Sequence, residues 1–433
     1  MSISKYLLVA SDLHGLLRGK RLPVNDTEGK SLKMPLSILF PDVWGRDLAS
    51  SDHLLDSGDL DGDFRLIERE PVPLAPWQPD TALRLGWMFH ASGEPYPVDP
   101  RQALAAILGR FQAQSLTPVC AVELEFYLFD PARQPLCPPR RPGSSRTMQD
   151  NDVYALDDLE AFGPFLDSLY AACESADVPV EAAIAEYGRG QFEVNLKHQP
   201  DALKAADDAQ LFKYLVKRVA NQFGLGATFM AKPHGDDLGS GMHVHWSLLD
   251  AAGVNVFAGA DEAGSDTLRA AVAGLLGALP ESMLLLAPHF NSYRRFSADS
   301  LAPLRVTWGY ENRTTALRIP AGPDPARRIE HRVAGADANP YLVLAVLLGS
   351  GLLGIEQRLE PPAPASGNQY LGEAPLLPAT WPAAMDTFAS GDTIATCFDP
   401  LFVHLLLAAK QQELARFNEH VSPFEYETYL QRF

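Results

Sequence analysis

Five short stretches of this chain alternate apolar residues with Glu, His, Asn or Arg, and that alternation constrains the fold more than any other feature. A strand sends successive side chains to opposite faces, so each polar set must share one face. In Ala121-Val-Glu-Leu-Glu-Phe-Tyr-Leu-Phe129, Glu123 and Glu125 point one way while Val122, Leu124, Phe126 and Leu128 point the other. Glu193 and Asn195 oppose Phe192, Val194 and Leu196; His243 and His245 oppose Met242, Val244 and Trp246. Arg318 lies between Leu317 and Ile319, and Arg328, Glu330 and Arg332 share one parity. Any one of these stretches reads equally well as an ordinary amphipathic strand with a solvated face. Surface strands, however, favour Thr, Lys and Ser, whereas these faces carry Glu, His and Arg almost exclusively. Gly-rich turns, Gly188-Arg-Gly190 and Gly239-Ser-Gly241, precede two of them.

Several carboxylates converging on one cavity repel one another unless cations neutralise them. Glutamates joined by an imidazole form a hard, oxygen-rich donor set, suited to Mg²⁺ or Mn²⁺ rather than to a structural zinc site. Arginines on the same faces would repel such ions unless an anion lay between. Phosphate is the natural candidate, because guanidinium forks hold its oxygens bidentately. Divalent cations and arginines around a phosphate describe phosphoryl transfer from a nucleotide. A P-loop kinase, a Rossmann dehydrogenase, a zincin and a serine hydrolase are not expected, and G-x-x-x-x-G-K-[ST], H-E-x-x-H and G-x-S-x-G are absent.

Over 433 residues, 36 Lys and Arg face 54 Asp and Glu, and the formal charge of -18 repels phosphate backbones. Nucleic acid is therefore not an expected partner, while cationic small molecules are electrostatically welcome. The four cysteines form no C-x-x-C pair, which fits a reducing cytosol. No apolar run reaches membrane-spanning length, Leu342–Ile355 being the longest candidate, and Tyr6–Ala10 is too short for a signal peptide. The expectation is a soluble, cytoplasmic chain with no membrane partner.

The length suggests about two or three domains. Residues 1–97 hold short strand-like runs, Tyr6–Ala10, Leu36–Phe40, Phe64–Ile67 and Thr81–Phe89, and read as a small β-rich domain. A Pro-studded stretch, 94–100, then leads into a helix that Asp99 caps, Pro100 starts and Gln102 completes in a capping-box-like pair. Beyond it strands alternate with helices, expected over 157–176, 201–223, 266–286, 339–356 and after residue 400. Residues 131–152 read as a surface loop and 360–383 as an irregular excursion.

At the level of particular residues the chain resembles the glutamine synthetase superfamily, and within it the γ-glutamyl–amine ligase branch. The stretches that carry the resemblance are Glu123-Leu-Glu-Phe-Tyr-Leu-Phe129, Glu186-Tyr-Gly-Arg-Gly-Gln-Phe-Glu193, Lys232-Pro233, Gly239-Ser-Gly-Met-His-Val-His245, Asn291-Ser-Tyr-Arg-Arg295, Asn312-Arg313, Arg318-Ile-Pro320, Arg327-Arg-Ile-Glu-His-Arg332 and Asn339-Pro-Tyr341. They occur in family order over nearly the whole chain. The resemblance implies an α+β fold, with a small N-terminal β-grasp-like domain (1–97) and a large catalytic domain (98–433) whose curved antiparallel sheet lines the active-site funnel.

It also implies site residues. Glu125, Glu186 and Glu193 would hold a metal beside the acid substrate, and Glu123, His243 and Glu330 a metal bridging the ATP phosphates. Glu181, His198, His245, Ser247, Arg318 and Arg328 match nucleotide-binding positions. Arg295, Arg313 and Arg332 match those that hold the substrate carboxylate and the transferring phosphoryl group, beside Gly239. The implied reaction forms an acyl phosphate from the γ-carboxylate and ATP, which an amine then converts to an amide. Two or more Mg²⁺ or Mn²⁺ ions and a homo-oligomeric ring, hexameric or stacked to a dodecamer with sites between subunits, complete the picture.

Departures from the family pattern bear on the substrates. Ammonia-using members carry an Asp-Gly-Ser-Ser stretch where this chain reads Pro35-Leu-Ser-Ile-Leu-Phe-Pro-Asp-Val-Trp-Gly-Arg-Asp47. They also carry a flap Glu where it has Phe296-Ser-Ala-Asp-Ser-Leu301, leaving Asp299 as the one acid. Trp44 and Leu301 would suit a bulkier amine, and Leu238 replaces an Asn that helps hold the glutamate amino end. The expected function is ligation of glutamate to an organic primary amine, with ammonia-using glutamine synthetase and a catalytically silent homologue as alternatives.

Overall fold

The computed structural model describes residues 2–27, 31–49, 58–74, 77–133, 136–144, 147–148, 153–259, 263–297 and 300–433. Its N-terminal part is a six-stranded sheet: β1 (Lys5–Ser11), β2 (Leu17–Pro23), β3 (Leu32–Pro35), β4 (Asp61–Leu66), β5 (Val72–Pro73) and β6 (Thr81–Phe89). The order is β2-β1-β6-β4-β3 with β5 on β6; β1 and β6 run parallel and the other pairs antiparallel. β2 has no counterpart in the sequence reading, because this edge strand is half-exposed or exposed along its whole length and so shows no alternation. Leu36–Phe40 is not a strand. Leu36–Leu39 form a 3₁₀ turn, whose three-residue repeat sends both leucines into the core.

Asp99 caps the helix Pro100–Ala113, accepting from the Arg101 N–H at 2.8 Å and the Gln102 N–H at 3.4 Å. Gln102 does not close a capping box; its amide donates to the Met88 carbonyl at 3.2 Å, tying the helix to β6. The expected helix over 157–176 is two, Leu156–Ala161 and Gly163–Ser175, because Gly163 and Pro164 restart it. The helices Ala202–Gln222, Asp266–Leu286, Pro340–Gln357 and Pro400–Glu419 lie within two residues of expectation.

The second sheet holds β7 (Thr117–Phe129), β8 (Val180–Ala185), β9 (Gln191–Leu196), β10 (Gly226–Thr228), β11 (Met242–Leu249), β12 (Trp308–Tyr310), β13 (Leu317–Ile319) and β14 (Ile329–His331). Its order is β12-β13-β14-β11-β7-β9-β8, with β10 also on β7, and it is antiparallel except at β12–β13. One face is apolar and covered by helices. There Phe126 packs with Phe165, Phe192, Phe212 and Phe229, centroids 5.6–6.4 Å away.

The helices Asp266–Leu286 and Pro340–Gln357 are long and apolar enough to cross a bilayer, unlike the expectation from uninterrupted runs. Both are interior helices of this fold, with 78% of each apolar window buried. They cross closely: a Cβ on Gly354 would lie 2.1 Å from the Ala270 carbonyl, and one on Gly274 2.2 Å from that of Ser350. Gly349-Ser-Gly-Leu-Leu-Gly354 spells a dinucleotide-binding fingerprint, but it lies within a buried helix, where its glycines serve packing.

Candidate active site

The other face of the second sheet carries the polar parity. Register aligns its residues in rows across the strands. Arg318 of β13 opposes Glu330 of β14, which opposes His245 of β11. His243 of β11 opposes Glu123 of β7, which opposes Asn195 of β9. Glu125 opposes Glu193, which opposes Ile184 of β8. These residues line a cavity of about 610 Å³ together with Glu186, Gly239, Arg295, Leu301, Arg313, Arg328 and Arg332.

Two groups of donor atoms lie inside it. Glu123, His243 and Glu330 each offer one atom within 4.8 Å of the others, and so do Glu125, Glu193 and His243. His243 Nδ1 is 3.1 Å from Glu123 and its Nε2 is 3.9 Å from Glu125, so one imidazole stands between the groups. Glu186 lines the same cavity but belongs to neither tight group. Gly241 leaves room for this convergence, since a Cβ there would lie 2.7 Å from Arg295 Nη2 and 3.2 Å from both Glu125 and His243.

The carboxyl groups share one low-dielectric space, and their proton affinities diverge. Burial and the charges of Glu123 and Glu125 push Glu193 up to about 9. Burial and Glu125 push Glu186 up to about 7. Burial acts the same way on Glu330, but Arg332, the two histidines and Arg318 outweigh it and hold the group at about 2. Glu123 is likewise buried, yet hydrogen bonds from His243 and His245 hold it well below the usual carboxylate range. Protons on Glu186 and Glu193 mark where the protein lacks positive charge.

Guanidinium groups crowd the opposite side. Arg318 donates to Glu330 at 2.8 Å and to Glu311 at 3.1 Å, and Arg332 also pairs with Glu330. Arg328 Nε donates to His245 Nδ1 at 3.1 Å, while His245 Nε2 donates to Glu123 at 2.9 Å. Arg295 is buried and donates to the Val333 carbonyl at 2.7 Å; Arg313 is exposed at the rim.

Four residues singled out from the sequence lie off the lining. Glu181 sits exposed at a bulge in β8, His198 is exposed beyond β9, and Ser247 is half-buried one step along the His243–His245 face. Trp44 does not reach its own chain's cavity. It packs on the helix Pro400–Glu419, with the Arg416 guanidinium 4.2 Å above its ring and Phe417 5.7 Å away. Asp299 lies outside the described residues.

Sequence reasoning missed several participants. Gln191 donates to Glu125 at 3.1 Å and to the Gly239 carbonyl at 3.0 Å, and Asn195, noted only for its parity, donates to Glu193 at 3.1 Å. Gln191 shares the parity of Glu193, a signal that could have found it. Tyr154 and Tyr187 line the cavity from loops and Tyr370 from the short 3₁₀ helix Gln369–Leu371, and none carries a periodic signal.

The model of the glutamine synthetase catalytic domain matches residues 97–429. Gamma-glutamylputrescine synthetase PuuA of Escherichia coli (strain K12) is 36% identical over 428 residues, covering 98% of this chain and 91% of that protein. Glutamate–isopropylamine ligase of a Pseudomonas species is 33% identical over 444 residues, covering 99% and 95%. A solved structure of GmaS without ligand superposes with a TM-score of 0.85 at 29% identity, covering 99% of this chain and 97% of that one. The mixed fold, the convergent carboxylates and these similarities agree, and the chain belongs to the glutamine synthetase family, on its γ-glutamyl–amine ligase branch.

Proposed function

We propose that this chain is an ATP-dependent carbon–nitrogen ligase that joins the γ-carboxyl group of glutamate to an organic primary amine through a γ-glutamyl phosphate. The observation that carries the reading is the pair of carboxylate–imidazole groups sharing His243 beneath a set of arginines. The relatives' names, ligases for putrescine and isopropylamine, support the amine as co-substrate.

The donor chemistry fits two divalent cations. Glu123, His243 and Glu330 would hold one, and Glu125 and Glu193 with Glu186 the other. When bound, Mg²⁺ or Mn²⁺ supplies charge neutralisation for the transferring phosphoryl oxygens. The chain's own residues do the remainder. Arg295, Arg313 and Arg332 bind the acid and stabilise charge that develops on the phosphoryl group, and Gly239, whose missing Cβ makes room for the Arg295 side chain, meets the substrate through its backbone. Arg318, Arg328 and His245 orient the nucleotide phosphates, with Glu181, His198 and Ser247 further along the same face toward its base. Glu330, held by two arginines, fixes their guanidinium planes.

The reading extends to the whole protein. The N-terminal domain is residues 1–97, β-grasp-like, and the catalytic domain residues 98–433, a division supported by the matched family model beginning at residue 97. The sheet's polar face forms the wall of a funnel. The chain works as a ring of six copies, single or stacked, in which Trp44 closes a neighbour's cavity rather than its own, with Asp299 on the flap beside it. Four free cysteines among the described residues support a cytoplasmic setting.

ADP release with glutamate, Mg²⁺ and a panel of amines tests the reading. Turnover that requires an organic amine is the expected result, and ammonia as the best amine would mark an ordinary glutamine synthetase instead. Glu125→Ala and Glu186→Ala should each abolish turnover with the far-UV circular dichroism kept; full activity in either would contradict the ligand assignment.

A further inference from the structure

Arg318 reaches the cavity as a clamped group rather than a free one. Its Nη1 donates to Glu330 at 2.8 Å and its Nη2 to Glu311 at 3.1 Å, so the guanidinium is gripped at two corners. The two carboxylates differ in kind. Glu330 is buried, lines the cavity and is assigned to a cation. The Glu311 side chain is 52% exposed and lines a separate cavity of about 290 Å³ with Tyr310, Ile319, Ala321 and Arg327. An exposed ion pair by itself contributes little.

This pair is built in more firmly. Glu311 has a φ of 50°, a region that residues with a Cβ enter at a cost, and such strain persists only where the surroundings over-determine it. Here they do. The Glu311 N–H donates to the Ile319 carbonyl at 3.1 Å, and its Oε1 accepts the Ala321 N–H as well as Arg318. One residue at the end of β12 therefore fastens the end of β13 by main chain and side chain together. The chain continues at once into Asn312 and Arg313, and Arg313 lines the same cavity as Arg318. Arg318 Nε is buried with no hydrogen-bond partner, which leaves the two carboxylates to set the plane of the guanidinium.

We propose that Glu311 is a positioning residue, which fixes the Arg318 guanidinium for the nucleotide phosphates without touching them. This rests on the ligase reading above, which gives Arg318 that task. Without Glu311 the guanidinium pivots about its bond to Glu330, an acceptor it shares with Arg332 and with the cation. Water screens the exposed Glu311 charge, so the loss of orientation outweighs any gain in attraction for phosphate. The test is the affinity of the full-length protein for a non-hydrolysable ATP analogue with Mg²⁺, by calorimetry, alongside steady-state kinetics. Glu311→Gly suits the positive φ but lacks the carboxylate. It should weaken analogue binding by about 3- to 10-fold and raise KM for ATP in step, with KM for glutamate changed less than about twofold. Glu311→Gln keeps an acceptor oxygen and should recover most of that loss. In an Arg318→Ala background, Glu311→Gly should add nothing. Unchanged affinity in Glu311→Gly, an equal rise in every KM, or a Gln variant as weak as the Gly one would each overturn the proposal. So would a full further loss on top of Arg318→Ala. Wild-type protein that binds no analogue would overturn the ligase reading itself.

Discussion

A single imidazole decides how the acidic cluster is arranged. His243 lies within reach of both Glu123 and Glu125, so the two carboxylate groups are one electrostatic unit rather than two. Glu186 and Glu193 have folded values raised to about 7 and about 9, above the ordinary carboxylate value near 4.3. Their favourable, protonated state in the fold is complete below about pH 4 and lost as pH rises through 7 and 9. The melting temperature of metal-free protein should therefore fall between pH 6 and pH 9, and Mg²⁺ should flatten that decline; a pH-independent melting temperature in EDTA would count against the cluster. Gln191→Leu removes the donor to Glu125 and leaves the Gly188 N–H, now bonded at 2.9 Å, without its partner. The Mg²⁺ concentration for half-maximal turnover should rise by about 10- to 100-fold. At this scale the sequence was informative where strand parity carried the residue, as for Glu123, His243 and Glu330. It was silent for Tyr154 and Tyr187, whose positions depend on loops, and for Trp44, whose own-chain surroundings follow from packing on a distant helix.

Elements with long buried runs or a capping residue were the easiest to read. β6 runs from Thr81 to Phe89 as expected, and the long helices start at capping residues visible in the sequence, Asp99, Asp201 and Asn339 among them. Two segments failed for different reasons: the edge strand β2 shows no alternation, and at Leu36–Leu39 a five-residue, mostly apolar run is too short to separate a period of two from one of three. The pair of apolar helices, Asp266–Leu286 and Pro340–Gln357, shows why composition alone misleads. Their length answers to an interior crossing, and that crossing depends on Gly274 and Gly354 meeting opposing backbone. Gly354→Ala should cost about 1–3 kcal/mol of stability, as overpacking does, because carbonyl oxygens cannot rotate out of the way. A shift in urea midpoint checks this; an unchanged midpoint would mean that the helices can separate freely.

Across the whole molecule, the N-terminal sheet is fastened to the rest by buried polar contacts. Asn339 Nδ2 donates to the Asp12 carbonyl at 2.9 Å, and Arg69 reaches Asp208 at 2.7 Å. Lys410 donates to His14 at 2.9 Å and pairs with Glu413 at 3.3 Å, while Glu413 accepts the Val43 N–H at 2.9 Å. Burial lowers the proton affinity of Lys410 and raises that of Glu413, outweighing the attraction of each for the other. Glu413→Ala strands a buried lysine and a backbone donor and should cost about 3–5 kcal/mol, read as a lower urea midpoint. Retained stability would show that the two parts hold together without the network. Family membership was legible from the sequence because its motifs span the chain, but this seam was not, since its partners carry no common motif. His14 and Lys410 are 396 positions apart. During synthesis β1 and β2 therefore leave the ribosome long before the helix that seals them exists, and the nascent chain must keep that seam unsealed until the helix bearing Lys410 emerges.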